Sequence, residues 1–224
     1  MVSAPAPKPG NKTKAQVKAK YESSGHIAGL TLSVGVSDVK LKTSFTDATF
    51  INGPSLEGLS LGIEKPGQFM FDYDLAHQSA RFQFHTQASV MGKPLKLTYI
   101  HPQKRNATLV EGQFVWDPRN KVTAKYNFAT KSGSLKYSYH NEPWKVTVEP
   151  GYDFNTDAWH FSLGKKLPWG DNLKAQYDTS STVLGLEWVR DDKYFGSFKI
   201  IGSVDVKDRR SPKLIAEKTW DAEF

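Results

Sequence analysis

The chain alternates hydrophobic and polar residues along most of its length. Near its start, Ala15, Val17, Ala19 and Tyr21 are separated by lysines and one glutamine. Successive side chains of a β-strand point to opposite faces, so this period of two predicts strands with one apolar and one polar face. No segment of three turns shows the period of an amphipathic helix.

Short segments rich in Pro, Gly, Asn and Asp separate the alternating runs, for example residues 65–67, 117–120 and 168–172. These residue types favour turns. About sixteen runs follow one another at hairpin spacing, and several are short enough for neighbours to merge. The pattern predicts an all-β chain. Together with the charge and aromatic placement considered below, it leads us to expect a single antiparallel transmembrane β-barrel of about 12–16 strands over residues 14–224. No substantial helix is expected, and residues 1–13 are predicted to form a flexible, Pro-rich tail.

Composition excludes several classes of protein. The 224 residues include no cysteine, so disulfides, thiolate metal sites and cysteine nucleophiles are ruled out. No apolar run approaches the ~18–20 residues of a membrane-spanning helix. Aromatic residues, at 12%, are too frequent for a disordered chain. The net charge of +7 favours anionic partners.

Alternation alone leaves open which face is inside. In a soluble barrel or sandwich the apolar face is the interior, whereas in a membrane barrel it contacts lipid and the lumen is polar. Across the assigned runs, the apolar face carries one charge, Lys218. Since a lysine facing lipid at mid-depth costs about 2–4 kcal/mol, this near absence of charge favours the membrane barrel.

Aromatic residues support the same choice. Tyr and Trp have an apolar ring and a polar tip, so they concentrate at the two membrane interfaces. Many of them stand at the ends of runs. The predicted aromatic girdle consists of Tyr21, Trp116, Tyr139, Trp144, Trp159, Trp188 and Trp220.

If the apolar face contacts lipid, the lysine-rich face lines a pore. Interspersed opposite charges flatten the field in the pore, so we expect weak selectivity, leaning to anions on the net charge. The predicted pore-lining residues are Lys14, Lys18, Lys20, Lys40, Lys42, Arg81, Lys96, Lys121, Lys125, Lys136, Lys145, Lys174, Lys199, Asp72, Asp74, Glu149 and Glu187. No catalytic, metal-binding or cofactor-binding residues are expected.

Three other functions compete with a pore. A soluble β-barrel binding a hydrophobic ligand, with Phe69, Phe71, Phe82 and Phe84 inside, is the main alternative. An enzyme is disfavoured because the six histidines lack zinc-type spacing and no nucleophile elbow is present. Nucleic-acid binding is disfavoured because the basic residues alternate through all the runs and no RNA-binding motif is found.

Several short segments then occur in order: TDATF (46–50), GPSL (53–56), GLSL (58–61), EKPG (64–67), RFQF (81–84), KPLKLTYIH (93–101), LKAQY (173–177) and LGLEW (184–188). Together they resemble the 24-kilodalton class of chloroplast outer envelope pore proteins. The resemblance covers about residues 14–223. The matching segments belong to the barrel scaffold, and none of them identifies a residue that sets selectivity.

The resemblance implies a β-barrel channel of the plastid outer membrane, drawn in that family with about a dozen strands. It implies voltage-dependent, weakly selective passage of triose and hexose phosphates, phosphate, dicarboxylates, amino acids, ATP and sugars. The expected partners are the lipid bilayer and small anionic or zwitterionic metabolites, without nucleic acid, and homo-oligomers are left open. No signal-peptide core follows Met1. If Met1 is the natural start, we expect synthesis in the cytosol, which suits the outer membrane of an organelle.

Overall fold

The computed structural model describes residues 14–24, 27–51, 53–192, 196–208 and 212–223, so the predicted Pro-rich tail lies outside the described residues. Sixteen strands make up most of this part of the chain. They are β1 Lys14–Glu22, β2 Ile27–Val36, β3 Val39–Thr46, β4 Ser60–Lys65, β5 Phe69–Asp74, β6 Ser79–Val90, β7 Lys93–Pro102, β8 Leu109–Val115, β9 Asn120–Asn127, β10 Ser132–Asn141, β11 Val146–Asp153, β12 Ala158–Lys166, β13 Asn172–Asp178, β14 Val183–Asp192, β15 Gly196–Asp205 and β16 Lys213–Glu223.

Helix in these residues is limited to two 3-10 turns, Asp47–Thr49 and Gln103–Arg105. No helix in the described ranges is long and apolar enough to cross a membrane.

Each strand pairs antiparallel with its neighbours in sequence, and β1 pairs with β16 to close a single barrel. The predicted fold class is therefore confirmed. The strand number, sixteen, lies at the top of the range from the pattern and above the dozen that the resemblance implied. The strands β4 and β5 are only six residues long, but they do not merge into one strand. A turn at Gly67, with φ of 76°, separates them and folds them into a hairpin.

The pairing register keeps most apolar residues on one face of the barrel wall and most polar residues on the other. Val17 pairs with Leu32 and Trp220, whereas the next residue, Lys18, pairs with Thr31 and Thr219. We call the side of Val17 the apolar face and the side of Lys18 the polar face. The two faces continue around all sixteen strands, because each strand is paired in a register that preserves the parity.

The barrel lacks a conventional hydrophobic core in its described residues. Ala80 and Ala158 are the hydrophobic residues that are buried, and no large side chain is fully buried. On the apolar face, Leu186 is 58% exposed and Phe84 is 52% exposed. Large apolar surfaces of this kind mark contact with a membrane or partner. The register places all four phenylalanines of the soluble alternative on this same face.

The apolar face carries more charge than the single Lys218 that the sequence suggested. Lys65, Lys93, Lys165, Arg190 and Asp192 also lie on it. All five stand near strand termini at the end of the barrel where β1 begins and β16 ends, which we call the terminal end. Long basic side chains at that level can reach lipid headgroups. These basic residues therefore avoid the free-energy cost of a charge that faces lipid at the middle of the bilayer.

At the opposite end, which we call the distal end, four tight turns share one construction. The last residue of the preceding strand, an Asp or Asn, accepts backbone N–H bonds from the turn, and the fourth turn residue is left-handed. In the β13–β14 turn, Asp178 accepts from Ser180 and Ser181 at 2.9 and 2.8 Å, and Thr182 has φ of 53°. The capping residues are Asp74, Asn127, Asp153 and Asp178.

The β3–β4 loop depends on a glycine that packs against its neighbouring strand. A Cβ on Gly58 would overlap the Thr46 side chain, whereas a Cβ on Gly67 would meet open space. Both glycines have positive φ, 72° and 76°. They are therefore a matched pair for separating backbone strain from the steric overlap.

We predict that Gly58→Ala lowers the thermal unfolding midpoint of the refolded barrel in detergent more than Gly67→Ala does. Each variant carries the left-handed penalty of about 1–2 kcal/mol, and only Gly58→Ala adds the overlap with Thr46. Circular dichroism at increasing temperature measures both. Equal midpoints would show that the loop accommodates the extra methyl group.

Candidate pore lining

Nearly all the predicted pore-lining residues lie on the polar face. They are Lys18, Lys20, Lys40, Lys42, Arg81, Lys96, Lys121, Lys125, Lys136, Lys174, Lys199, Asp72, Asp74, Glu149 and Glu187. Lys14 has the matching register position, but its side chain is outside the described residues. Lys145 lies on no strand. It belongs to the β10–β11 turn and has φ of 50°.

The described strands carry equal numbers of positive and negative side chains on the polar face. The thirteen basic ones are Lys18, Lys20, Lys40, Lys42, Arg81, Lys96, Lys121, Lys125, Lys136, Lys166, Lys174, Lys199 and Lys213. The thirteen acidic ones are Glu22, Glu64, Asp72, Asp74, Glu111, Glu149, Asp153, Asp178, Glu187, Asp191, Asp205, Glu217 and Asp221. The chain's net charge of +7 therefore does not arise from this face.

Ion pairs join many of these charges across neighbouring strands. Glu149 on β11 lies 3.6 Å from the Lys136 ammonium on β10 and 3.3 Å from the Lys174 ammonium on β13. The second contact passes diagonally over β12, where the small residue Ser162 is the register neighbour of Glu149 and Gly164, without a side chain, is the register neighbour of Lys174. One carboxylate is thereby shared by two lysines.

The alternation of charge continues from Lys174 across the remaining strands. Glu187 is its register neighbour on β14 and contacts Lys199 on β15 at 2.9 Å. Glu217 on β16 is in turn the register neighbour of Lys199 and contacts Lys18 on β1 at 2.8 Å. We call this series the ion-pair belt: Lys136, Glu149, Lys174, Glu187, Lys199, Glu217 and Lys18. It spans the wall from β10 through β16 to β1.

The other half of the wall contains separate ion pairs instead of a continuous series. Lys42 bonds Glu64, and Lys125 contacts Glu111 at 2.8 Å. Glu64 and Glu217 were not predicted as lining residues. Their alternation parity was the signal that could have found them. Since most lysines face a carboxylate, their fields cancel over short distances.

The predicted girdle residues are divided between the two ends. Tyr139, Trp188 and Trp220 lie on the apolar face in the half nearer the terminal end, and Trp188 pairs with the second residue of β13. Trp116 and Trp144 lie beyond the strands, in turns at that end, and are 60% and 73% exposed.

Tyr21 and Trp159 lie on the apolar face near the distal end. The Trp159 ring stacks on Phe161 and also contacts Tyr152. Both ends of the barrel therefore carry exposed rings on the side that would contact lipid, as interfacial belts require.

Residues 13–223 match the family described as outer envelope pore protein 24. The chain belongs to this family. It is a β-barrel pore protein of the chloroplast outer envelope.

Two relatives illustrate the family match. The chain is 40% identical over 212 residues to outer envelope pore protein 24B, chloroplastic, of Arabidopsis thaliana, covering 94% of this chain and 99% of the relative. It is also 40% identical over 223 residues to outer envelope pore protein 24, chloroplastic, of Oryza sativa subsp. indica, covering 94% and 100%.

Solved structures show the same fold at low sequence identity. The outer membrane protein Omp33 of Acinetobacter baumannii aligns with a TM-score of 0.53 and 11% identity over 95% of this chain and 98% of that protein. A mutant of the Rh. blastica porin aligns with a TM-score of 0.56 and 8% identity over 95% and 99%. These comparisons support the barrel architecture alone.

The pore protein also contains a buried carboxylate at its terminal end that the sequence did not reveal. Asp171, in the β12–β13 loop, is 4% exposed. Arg190 donates to both of its oxygens at 2.8 and 2.9 Å. The indole N–H groups of Trp169 and Trp188 each donate to Oδ2 at 3.0 Å. Arg190 and Trp188 lie 19 and 17 positions from Asp171 in the chain, so a local pattern could not find these contacts.

This cluster fixes two tryptophans and an arginine at the level where an interface is expected. The Arg190 hydrogen bonds, followed by those of the two indoles, lower the pKa of Asp171 to about 2. The Arg190 guanidinium also lies 5.5 Å from the centre of the Trp188 ring. A charged arginine on the apolar face is thus neutralised locally while the Trp169 ring stays 67% exposed.

We predict that Asp171→Asn lowers the thermal midpoint of the refolded barrel at pH 7 and shifts tryptophan emission to longer wavelength. The ionised carboxylate stabilises the fold wherever it is charged in both states, above its ordinary pKa of about 4. That contribution falls as the pH drops from about 4 through the folded-state pKa of about 2. The difference in thermal midpoint between variant and wild type should therefore stay constant from pH 7 to about pH 4 and disappear at lower pH.

Asp38→Asn is the control. Asp38 lies in a turn at the same end, and its side chain is 63% exposed beside Lys65. It should change the midpoint little, because exposed ion pairs contribute about 0–1 kcal/mol. Equal losses in the two variants would contradict a special role for the Asp171 cluster.

Proposed function

We propose that the polar face lines a water-filled lumen through which small, mostly charged metabolites diffuse across the outer envelope. The observation that carries this proposal is the closed ring of sixteen strands, with a continuous polar face and an exposed apolar one. Eight strands enclose a lumen that side chains fill, whereas 16–18 strands leave an aqueous channel. The Lys174–Glu149 contact across β12 supports a concave polar face, where side chains on alternate strands converge.

The proposed solutes are triose and hexose phosphates, phosphate, dicarboxylates, amino acids, ATP and sugars, as the family resemblance implies. The balance of charge on the polar face favours weak selectivity, because an excess of one sign is what makes a pore discriminate. Voltage-dependent closure is part of the proposal, without an assigned residue. The partners are lipid and small solutes. One chain closes its own barrel, so the pore needs no second copy.

The test is single-channel recording of refolded protein in a planar bilayer under a KCl gradient. Wild-type protein should give discrete current steps and a reversal potential close to zero. Lys18→Gln combined with Lys42→Gln should move the reversal potential toward that of a cation-selective pore, because Glu217 and Glu64 lose their partners.

Lys93→Gln combined with Lys165→Gln is the matched control. It removes the same two charges from the apolar face and should leave the reversal potential unchanged. A silent bilayer, with protein that stays soluble without detergent, would refute the pore. Normal steps with no effect of the double substitution would place Lys18 and Lys42 outside the lumen.

A further inference from the structure

A polar cavity of about 270 Å³ lies in the β6–β7–β8 wall, beside the β4–β5 turn. Its lining includes His85, Gln87, Lys96, Thr98 and Gln113. These side chains project on the polar face, on the half of the wall that the ion-pair belt does not cover. The cavity forms where β6 continues past the short β4–β5 hairpin, since Phe69 at the start of β5 pairs with Phe84 while β6 extends to Val90.

Three side chains without a described hydrogen bond or ion pair form a row in this cavity. The register places Lys96 on β7 between Gln87 on β6 and Gln113 on β8. Within the described ranges, none of the three side chains makes a hydrogen bond or ion pair. Lys96 differs in this respect from the belt lysines, each of which has a carboxylate within reach.

The neighbouring polar groups are already satisfied. His85 has Thr98 Oγ1 at 3.1 Å from Nδ1 and Gln83 Nε2 at 3.0 Å from Nε2. The carboxylate at the cavity wall, Glu111, contacts Lys125 at 2.8 Å. The Lys96 ammonium is therefore left with a local positive charge that no described carboxylate neutralises.

We propose that this row binds the oxyanion group of a solute during its passage. An ammonium offers three N–H donors and each carboxamide offers two, a set that matches several oxygens of one small anion. Hydrogen bonds between an ammonium and an ionised oxygen are stronger than neutral ones. The amide oxygens can accept from hydroxyl groups on the same solute. The site rests on the proposed function, because the polar face must border water that solutes can enter.

The experiment titrates inorganic phosphate, and separately acetate, into planar bilayers at constant ionic strength and follows the KCl current through the open channel. Wild-type current should fall saturably as the oxyanion occupies the row. Lys96→Gln should raise the half-effect concentration about tenfold, the change expected from losing one charge-assisted hydrogen bond. Gln113→Leu should raise it too, without moving the reversal potential, because it removes donors and no charge.

Lys121→Gln is the matched control, since Lys121 is another polar-face lysine without a described ion pair, outside the cavity. It should leave the half-effect concentration within about twofold. Equal effects of Lys96→Gln and Lys121→Gln would overturn the site and leave the pore intact. A response to phosphate alone, or to acetate alone, that Lys96→Gln weakens supports the site and identifies its oxyanion.

If no variant conducts, the proposed function fails, and phosphate binding is then read by ³¹P line broadening with the detergent-solubilised protein. Broadening that Lys96→Gln abolishes would support the site independently of conduction. Its absence in wild-type protein would overturn the site as well.

Discussion

In hydrocarbon, a backbone N–H or C=O that lacks a protein partner costs several kilocalories per mole, so a spanning sheet must have no free edge. The pairing of β1 with β16, from Lys14 with Glu223 to Glu22 with Ile215, removes the two edges that a sixteen-strand sheet would otherwise expose. This closure also fixes the parity of every side chain. A slip of one residue at any strand pair would exchange the polar and apolar faces beyond it.

The same constraint explains how the polar face can be heavily charged. Opposite charges on adjacent strands lie diagonally, two residues from the direct register partner, as in Lys18–Glu217 and Lys136–Glu149. Each lysine of the ion-pair belt therefore has a carboxylate within about 4 Å, the usual criterion for an ion pair. The wall from β10 to β1 is therefore rich in charge and nearly neutral. The wall at β6–β8 is different, because amides surround Lys96 there.

The period of two predicted the class of fold and the face of most charged residues, because parity in a strand is decided by its neighbours in sequence. The membrane setting was predicted from the scarcity of charge on the apolar face, the placement of the aromatic residues and the family resemblance. The period of two failed at Trp144 and Lys145. Asn141 accepts the Trp144 N–H at 3.1 Å and Lys145 is left-handed, so the alternation there runs through a turn. The Asp171 cluster, the partners of the lysines and the exact number of strands depend on pairing between distant residues, which no local pattern contains. The face that borders water and the site at Lys96 remain proposals.

The central claim is that the polar face borders the conducting water and the apolar face contacts lipid. The chain has no cysteine, so a single introduced thiol is unique. Lys136 and Leu135 are adjacent on β10 and lie on opposite faces. We predict that a charged methanethiosulfonate reagent steps down the single-channel current of Lys136→Cys and leaves that of Leu135→Cys unchanged. Block of Leu135→Cys with Lys136→Cys unaffected would contradict the account.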